Sequence, residues 1–269
     1  MRKVSAFCPA YVTGIFTIGN GDAAGAGFSI DKGMTTAVCE ASGKSRITIN
    51  GQASSAKVSK AVLRRFSESS GKLAVAVSHS TPVLIGYGMG MSAAGALSLC
   101  LALNELAGAG LSRQECVKIA HDSEVECGTG LSGADAAAIG GLLAQRRIGE
   151  QPVKIPMGEI PLEFAFYSPI RTASVIGSPG WKKKVNAAGE SALSCLFKEK
   201  GWEAFVEGSR EFACQSGLGN WCKKEMLENR RASMAMLGKT LFSDSKMGLG
   251  RKPVLLLKAK AFENGAATL

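Results

Sequence analysis

The spacing of apolar residues changes several times along the chain, and each change predicts a different element. Residues 3–7, 11–18, 27–30 and 34–41 are dense in β-branched and aromatic side chains, which predicts four strands near the N-terminus. Breaks containing Gly and Asp separate them, the longest being GNGDAAGAG at 19–27. In KVSKAVLRRF, 57–66, apolar residues fall at 58, 62, 63 and 66, the spacing of a helix face. KLAVAVS, 72–78, predicts a buried strand. The longest apolar stretch, Ser92 to Leu111, carries Asn104 and Glu105 near its end, and its small residues suit a core helix better than a membrane span. A second helix is expected from Ser112 to Cys127, because Ser112 is a good N-cap and Glu115 completes a capping box. The small-residue loop CGTGLSGADAAAIGG follows at 127–141.

The composition shifts at RRIGEQPVKIPMGEIP, 146–161, which places a domain boundary there, with one unit at 1–155 and another at 156–269. The second unit opens with the strand-like EFAFYSPI, continues through two or three helices between about 182 and 237, and closes with the strand-like KTLF and KPVLLLKAKAF. Short strands followed by helices predict an α+β fold.

A chain of 269 residues holds one large domain or two smaller ones sharing a cleft. The net charge of +10 has two readings: a solvated basic surface, or a cleft for an anionic substrate or cofactor. Nucleic acid is not the expected partner, because the basic residues are scattered and 3 Trp and 3 Tyr provide little base stacking. None of the eight cysteines forms a CxxC pair, so a zinc site is not expected, and several lie in apolar runs, as buried free thiols of a reducing cytoplasm do. The N-terminus does not carry a secretory pattern, because a proline interrupts it early, and no membrane segment is expected.

The chemistry concentrates in PVLIGYGMGMSAA, 82–94. It is not a dinucleotide fingerprint, because Met91 stands where GxGxxG needs its third glycine. Nor is a Walker A loop present: Gly238-Lys239-Thr240 and Gly43-Lys44-Ser45 each lack the leading glycine. Alternating glycines let backbone N–H groups approach phosphate oxygens, and the following helix offers the positive end of its dipole. The alternative is a glycine-rich turn used only for tight packing. These residues resemble the phosphate loop of the GHMP kinases, small-molecule kinases whose loop runs Gly-Leu-Gly-Ser-Ser-Ala-Ala after a proline and a spacer. The resemblance assigns the nucleotide to Pro82, Gly86, Gly88, Met89, Gly90, Met91, Ser92, Ala93 and Ala94, with Met91 replacing the first serine of the family pair.

Three further stretches carry the resemblance. LSGAD, 131–135, resembles a Ser-Gly-x-Asp segment whose aspartate faces the acceptor hydroxyl, which makes Asp135 the catalytic candidate, the alternative being a helix cap. Glu124 resembles the glutamate that holds Mg²⁺ together with the loop serine, here Ser92. A solvated helix face is the other reading of Glu124, and Glu126 is the fallback ligand. MAMLGKTLF, 234–242, resembles a late loop that closes over the phosphates.

AFCPAYVTGIFTI and GAGFSIDKGMTTAV are most similar to the pantoate kinase branch of that family, with Ala10-Tyr11 in place of its Gly-His. The resemblance implies an N-terminal domain like the second domain of ribosomal protein S5 and a smaller α+β domain beyond it. It implies ATP and Mg²⁺, transfer to the primary hydroxyl of pantoate, and 4-phosphopantoate as the product on the route to coenzyme A. A basic cleft would suit both anions. Thr13, Ser29 and Lys32 are the acceptor-side candidates, although Thr13 and Ser29 could equally satisfy buried backbone. Neither His79 nor His121 is assigned a role. Two alternatives stay open: a GHMP kinase for homoserine, mevalonate or a related hydroxy acid, and a catalytically weak ligand-binding member. A homodimer is the assembly allowed for.

Overall fold

The computed structural model describes residues 2–20, 22–130, 133–170 and 179–269. Two strands replace the four expected at the N-terminus. β1, Lys3–Ile18, and β2, Ala23–Glu40, form one long antiparallel hairpin with register from Lys3↔Cys39 to Ile18↔Ala23. Pro9 lacks an N–H for the ladder, yet it does not end β1, because a register shift between Pro9 and Ala10 absorbs it. A second shift between Thr13 and Ile15 bends the hairpin again.

The remaining strands of the first sheet are β3, Arg46–Ile49; β4, Gln52–Ala53; β5, Val75–Ser80; β6, Leu142–Ala144; β7, Val153–Ile155; and β12, Ala267–Thr268. Its order is β12-β1-β2-β5-β3-β4, with β6 pairing both β2 and β7. The apolar pattern does not single out β3 and β4, which are short and mostly solvent-facing. Four helices belong to this half: α1, Lys57–Ser70; α2, Met91–Ala107; α3, Arg113–Cys127; and α4, Gly133–Ile139. α2 is the long apolar stretch, buried almost all round against β1, β2, α1 and α3. The capping box of α3 forms as expected: Ser112 Oγ accepts from the Glu115 N–H, and the Ser112 N–H donates to Glu115 Oε2 at 2.7 Å.

The second sheet has the order β11-β8-β10-β9, with β8 at Pro161–Pro169, β9 at Ala232–Ala235, β10 at Gly238–Ser243 and β11 at Leu255–Lys260. Helices α5, Pro179–Glu199, and α6, Trp202–Ser216, pack on each other and on β1, and α7, Lys223–Glu228, is a short helix before β9. The change of sheet between β7 and β8 falls at the composition shift, but the second half does not stay in its own sheet. β12 returns to pair with β1, Ala6↔Thr268 and Phe7↔Ala267.

Two clusters hold the layers together. Phe28 of β2 meets Trp202, Phe205 and Phe242 edge-on, with ring centroids 5.0, 5.6 and 5.2 Å away, and so joins the hairpin to α6 and the second sheet. His79 of β5 is 1% exposed, with Nδ1 2.7 Å from Thr36 Oγ1 and Nε2 3.0 Å from Ser59 Oγ. Thr36 Oγ1 in turn lies 2.6 Å from Ser98 Oγ on α2. Burial lowers the imidazole pKa to about 4, so this histidine is a neutral structural group. All eight cysteines are free, but only Cys8, Cys100, Cys116 and Cys222 are buried, while Cys195 and Cys214 are exposed.

Phe28 is fully buried at the seam between the sheets. Phe28→Ala is expected to cost about 3–5 kcal/mol in denaturant unfolding, with one transition for the whole chain; two separate transitions would show that the halves fold independently.

Candidate active site

The glycine-rich segment forms a loop between β5 and α2, and its conformation depends on missing side chains. Gly86, Gly88 and Gly90 all have positive φ, at 88°, 82° and 63°. At Gly88 the need is also spatial, because a Cβ there would lie 2.8 Å from both Gly238 N and Met236 O. The late motif therefore packs backbone to backbone against this loop. Thr240 Oγ1 donates to the Tyr87 carbonyl at 2.8 Å, and the Met236 N–H donates to the Thr13 carbonyl at 2.8 Å. From the other side the Tyr11 N–H donates to the Met89 carbonyl at 3.2 Å.

These contacts aim the start of α2. Its N-cap is Gly90, no side chain caps it, and its first turn has no acidic residue. Uncapped first-turn N–H groups and the positive end of a helix dipole form an anion site. The same chain caps α3 with a full capping box. Met91 is buried, and Ser92 is the half-buried hydroxyl of that first turn.

Ser92 Oγ donates to Thr129 Oγ1 at 3.0 Å, and the Thr129 N–H donates to the Glu124 carbonyl at 3.0 Å. The Glu124 side chain is 3% exposed. Gly130 leaves room for it, since a Cβ there would stand 2.8 Å from Glu124 Oε1. Burial raises this carboxyl from 4.5 to about 7, while the Ser92 and Thr129 hydroxyls and His121 pull it back and Asp135 pushes it further up. Glu126 lies apart, in ion pairs with Arg64 and Arg65 at 2.6 and 2.9 Å. Glu124 and Ser92 fit Mg²⁺, a hard cation that takes few protein oxygens and keeps waters or phosphate oxygens. Among the described residues no cluster of three or more His, Cys, Asp or Glu could cage a metal by itself.

A cleft of about 800 Å³ is lined in part by Tyr11, the residue whose N–H holds Met89, although no residue of 82–94 lines it. Tyr11 and Thr13 of β1 line it, with the end of the β1–β2 hairpin, α3, α4 and the segment 149–152. Asp135 sits in the first turn of α4, faces this cleft, and has Oδ2 3.3 Å from His121 Nδ1. That contact raises the His121 pKa, with Asp122 and Asp22 adding to it against partial burial. The apolar part of the lining is Phe16, Ala24, Ala26, Val117, Ile139 and Leu143.

This cleft is not the basic one expected. Asp22, Asp122, Asp135 and Glu150 line it against Arg113 and Lys118. The Arg113 guanidinium is also engaged, donating to the Ala138 and Ala266 carbonyls at 2.5 and 2.6 Å. Of the acceptor-side candidates, only Thr13 lines the cleft. Ser29 is fully buried, and its Oγ has no hydrogen-bond partner. Lys32 pairs with Asp31 at 3.1 Å beside a separate groove with Lys258 and Lys260. His121, left without a role by its sequence, is instead a cleft residue. Its spacing of three from Glu124 on one helix was the signal available, since such residues share a face. Of the LSGAD stretch, Leu131 and Ser132 lie outside the described residues.

An uncapped helix end behind a glycine loop, and a buried carboxylate beside a hydroxyl, stand in a chain whose relatives make it a phosphotransferase acting on a hydroxyl group. The chain belongs to the GHMP kinases. The GHMP kinases N terminal domain matches residues 55–144. A pantoate kinase of Methanocaldococcus jannaschii is 31% identical over 256 residues, covering 89% of this chain and 92% of that protein. A pantoate kinase of Methanospirillum hungatei is 30% identical, covering 96% and 91%. A solved phosphotransferase related to the CoA biosynthesis pathway has the same fold, with a TM-score of 0.83 and 20% identity over 99% of this chain and 98% of that one. No described helix is long and apolar enough to cross a membrane.

The chain has two histidines, so both imidazoles can be followed by NMR. His121 is expected to titrate above the usual 6.5 and His79 at about 4. Asp135→Asn should bring His121 down and leave His79 in place; coincident titrations in the wild type would contradict both assignments. For Glu124 the raised pKa means that the folded chain keeps a proton that the unfolded chain releases between 4.5 and about 7. Its contribution to stability is thus present at low pH and lost as pH rises through about 7. Glu124→Gln is expected to raise the thermal midpoint at about pH 8, with the gain shrinking toward about pH 5, while abolishing turnover.

Proposed function

We propose that this chain is an ATP-dependent kinase that phosphorylates the primary hydroxyl of pantoate, giving 4-phosphopantoate in the synthesis of coenzyme A. The observation that carries the reading is that Asp135 and His121 line one cleft with Tyr11 and apolar side chains, while the Tyr11 N–H holds the Met89 carbonyl of the loop that leads into the uncapped start of α2. Pantoate presents a matching set of groups, with a carboxylate, hydroxyls and a carbon bearing two methyl groups. The apolar lining suits the methyl groups, and an imidazole whose pKa Asp135 raises is a partner for the carboxylate. The names of the two curated relatives, which match along nearly the whole chain, support the same acceptor.

The roles divide among the chain's own residues. The first-turn N–H groups of α2 and the backbone of the loop through Gly90 bind and orient the phosphates of ATP. Asp135 accepts or orients the acceptor's hydroxyl proton, so that the oxygen attacks in line and no phosphoenzyme forms. Ser92 and Glu124 are the donors for Mg²⁺, which when bound neutralises charge on the transferring phosphoryl group. The Met236–Gly238 turn keeps the loop in place from above. Thr13 completes the acceptor side.

The test is ADP release with Mg-ATP against pantoate, homoserine, mevalonate and shikimate, with pantothenate as a control. Turnover is expected with pantoate alone, and preference for another acceptor would overturn the substrate. Asp135→Asn is expected to lower kcat by about 100- to 10,000-fold while ATP still protects the chain against heat. Wild-type turnover in that variant would remove Asp135 from the mechanism.

A further inference from the structure

The glycine loop begins where β5 ends, and a side chain from a different hairpin sets that point. β5 pairs with β2 as far as Thr35↔Ser80, and with β3, in parallel, as far as Ile49↔His79. Beyond Ile49 the β3 strand leaves the ladder, because Asn50 and Gly51 form the two-residue turn into β4, with φ of 49° and 81°. The Asn50 N–H still donates to the His79 carbonyl at 2.8 Å. Its side chain then takes the next residue of β5's path. Asn50 Oδ1 accepts from the Thr81 N–H at 2.9 Å, and Asn50 Nδ2 donates to the Thr81 carbonyl at 3.1 Å.

A carboxamide carries one donor and one acceptor side by side, as a peptide group does, so it can imitate one further rung of a ladder. Thr81 is buried and would otherwise be the first residue without strand partners. It passes the constraint forward, since Thr81 Oγ1 accepts from the Val83 N–H at 3.0 Å and turns the chain toward Gly86. The Asn-Gly turn alone does not demand this arrangement, because a glycine at position 50 would adopt the same left-handed conformation.

We propose that Asn50 is a positioning residue for the nucleotide: its carboxamide fixes where β5 releases the chain into the phosphate loop. The proposal rests on the kinase reading of that loop. Asn50 touches no substrate and lies outside the described lining of the cleft, so its effect should fall on ATP and not on the acceptor.

The experiment compares wild type, Asn50→Gly and Asn50→Asp by steady-state kinetics, calorimetric ATP binding and thermal melting. Glycine keeps the turn and removes the carboxamide. Aspartate keeps the turn and the acceptor for the Thr81 N–H and loses the donor. Asn50→Gly is expected to raise the KM and the dissociation constant for ATP about tenfold, the scale of losing these hydrogen bonds. Acceptor KM and kcat should stay within about twofold, and Asn50→Asp should fall between. Unchanged ATP affinity in Asn50→Gly overturns the proposal. So does a uniform loss of every kinetic parameter with a lowered melting point, because that is the signature of a purely structural turn. If the wild type binds ATP but phosphorylates no acceptor, the kinase reading fails, and the ATP dissociation constants still decide the role of Asn50. If the wild type does not bind ATP, both fall.

Discussion

The site depends on one crossing of backbone over backbone. A Cβ on Gly238 would lie 2.0 Å from the Tyr87 carbonyl carbon, so the glycine loop and the turn before β10 meet with no side chain between them. Residues far apart in sequence are thereby clamped: Thr240 to Tyr87, Met236 to Thr13, and Tyr11 to Met89. With both ends of the loop held, the first turn of α2 keeps its orientation without a capping side chain. A side chain at that cap would occupy the N–H groups that a phosphate needs.

Burial is used differently at the two polar centres of the site. Glu124 sits against Gly130 with its charge disfavoured, so a cation brought beside it gains more than at the surface, where water already screens the carboxylate. Asp135 stays exposed at the cleft and raises the His121 pKa through a direct contact. The net charge of the chain does not create this field. Four acidic residues line the cleft among the described residues, and the positive surplus lies elsewhere. Local placement of a few groups outweighs the overall balance because charges separated by more than about 10 Å are screened by salt.

Much of the frame was legible locally. Helical spacing at 57–66, the capping box at Ser112 and Glu115, and the long apolar stretch all correspond to helices, because each signal arises within a few neighbouring residues. The bare backbone of the glycine loop was legible because positive φ and close backbone approach require residues without side chains. The N-terminal strands were misjudged in number, because Pro9 and the Asp31–Gly33 segment look like breaks until a partner strand absorbs them with register shifts. Ser29 and Lys32 looked like cleft residues on a strand near the site, but side-chain alternation and the bends of the hairpin turn them elsewhere. His121 was overlooked because a single histidine gains meaning only from what faces it, and Asp135 comes from another helix.

By itself the sequence determined the α+β alternation, the uncapped start of α2, the capped start of α3 and the carboxylates available for chemistry. These follow from periodicity, capping and residue type, which act over one or two turns of chain. Only the tertiary structure decided that Met236–Gly238 would close against Gly88, that Glu124 would be buried against Gly130, and that Asp135 would meet His121. Close approach and desolvation are properties of segments brought together from distant parts of the chain, Tyr87 and Thr240 being 153 positions apart, and no local pattern encodes them.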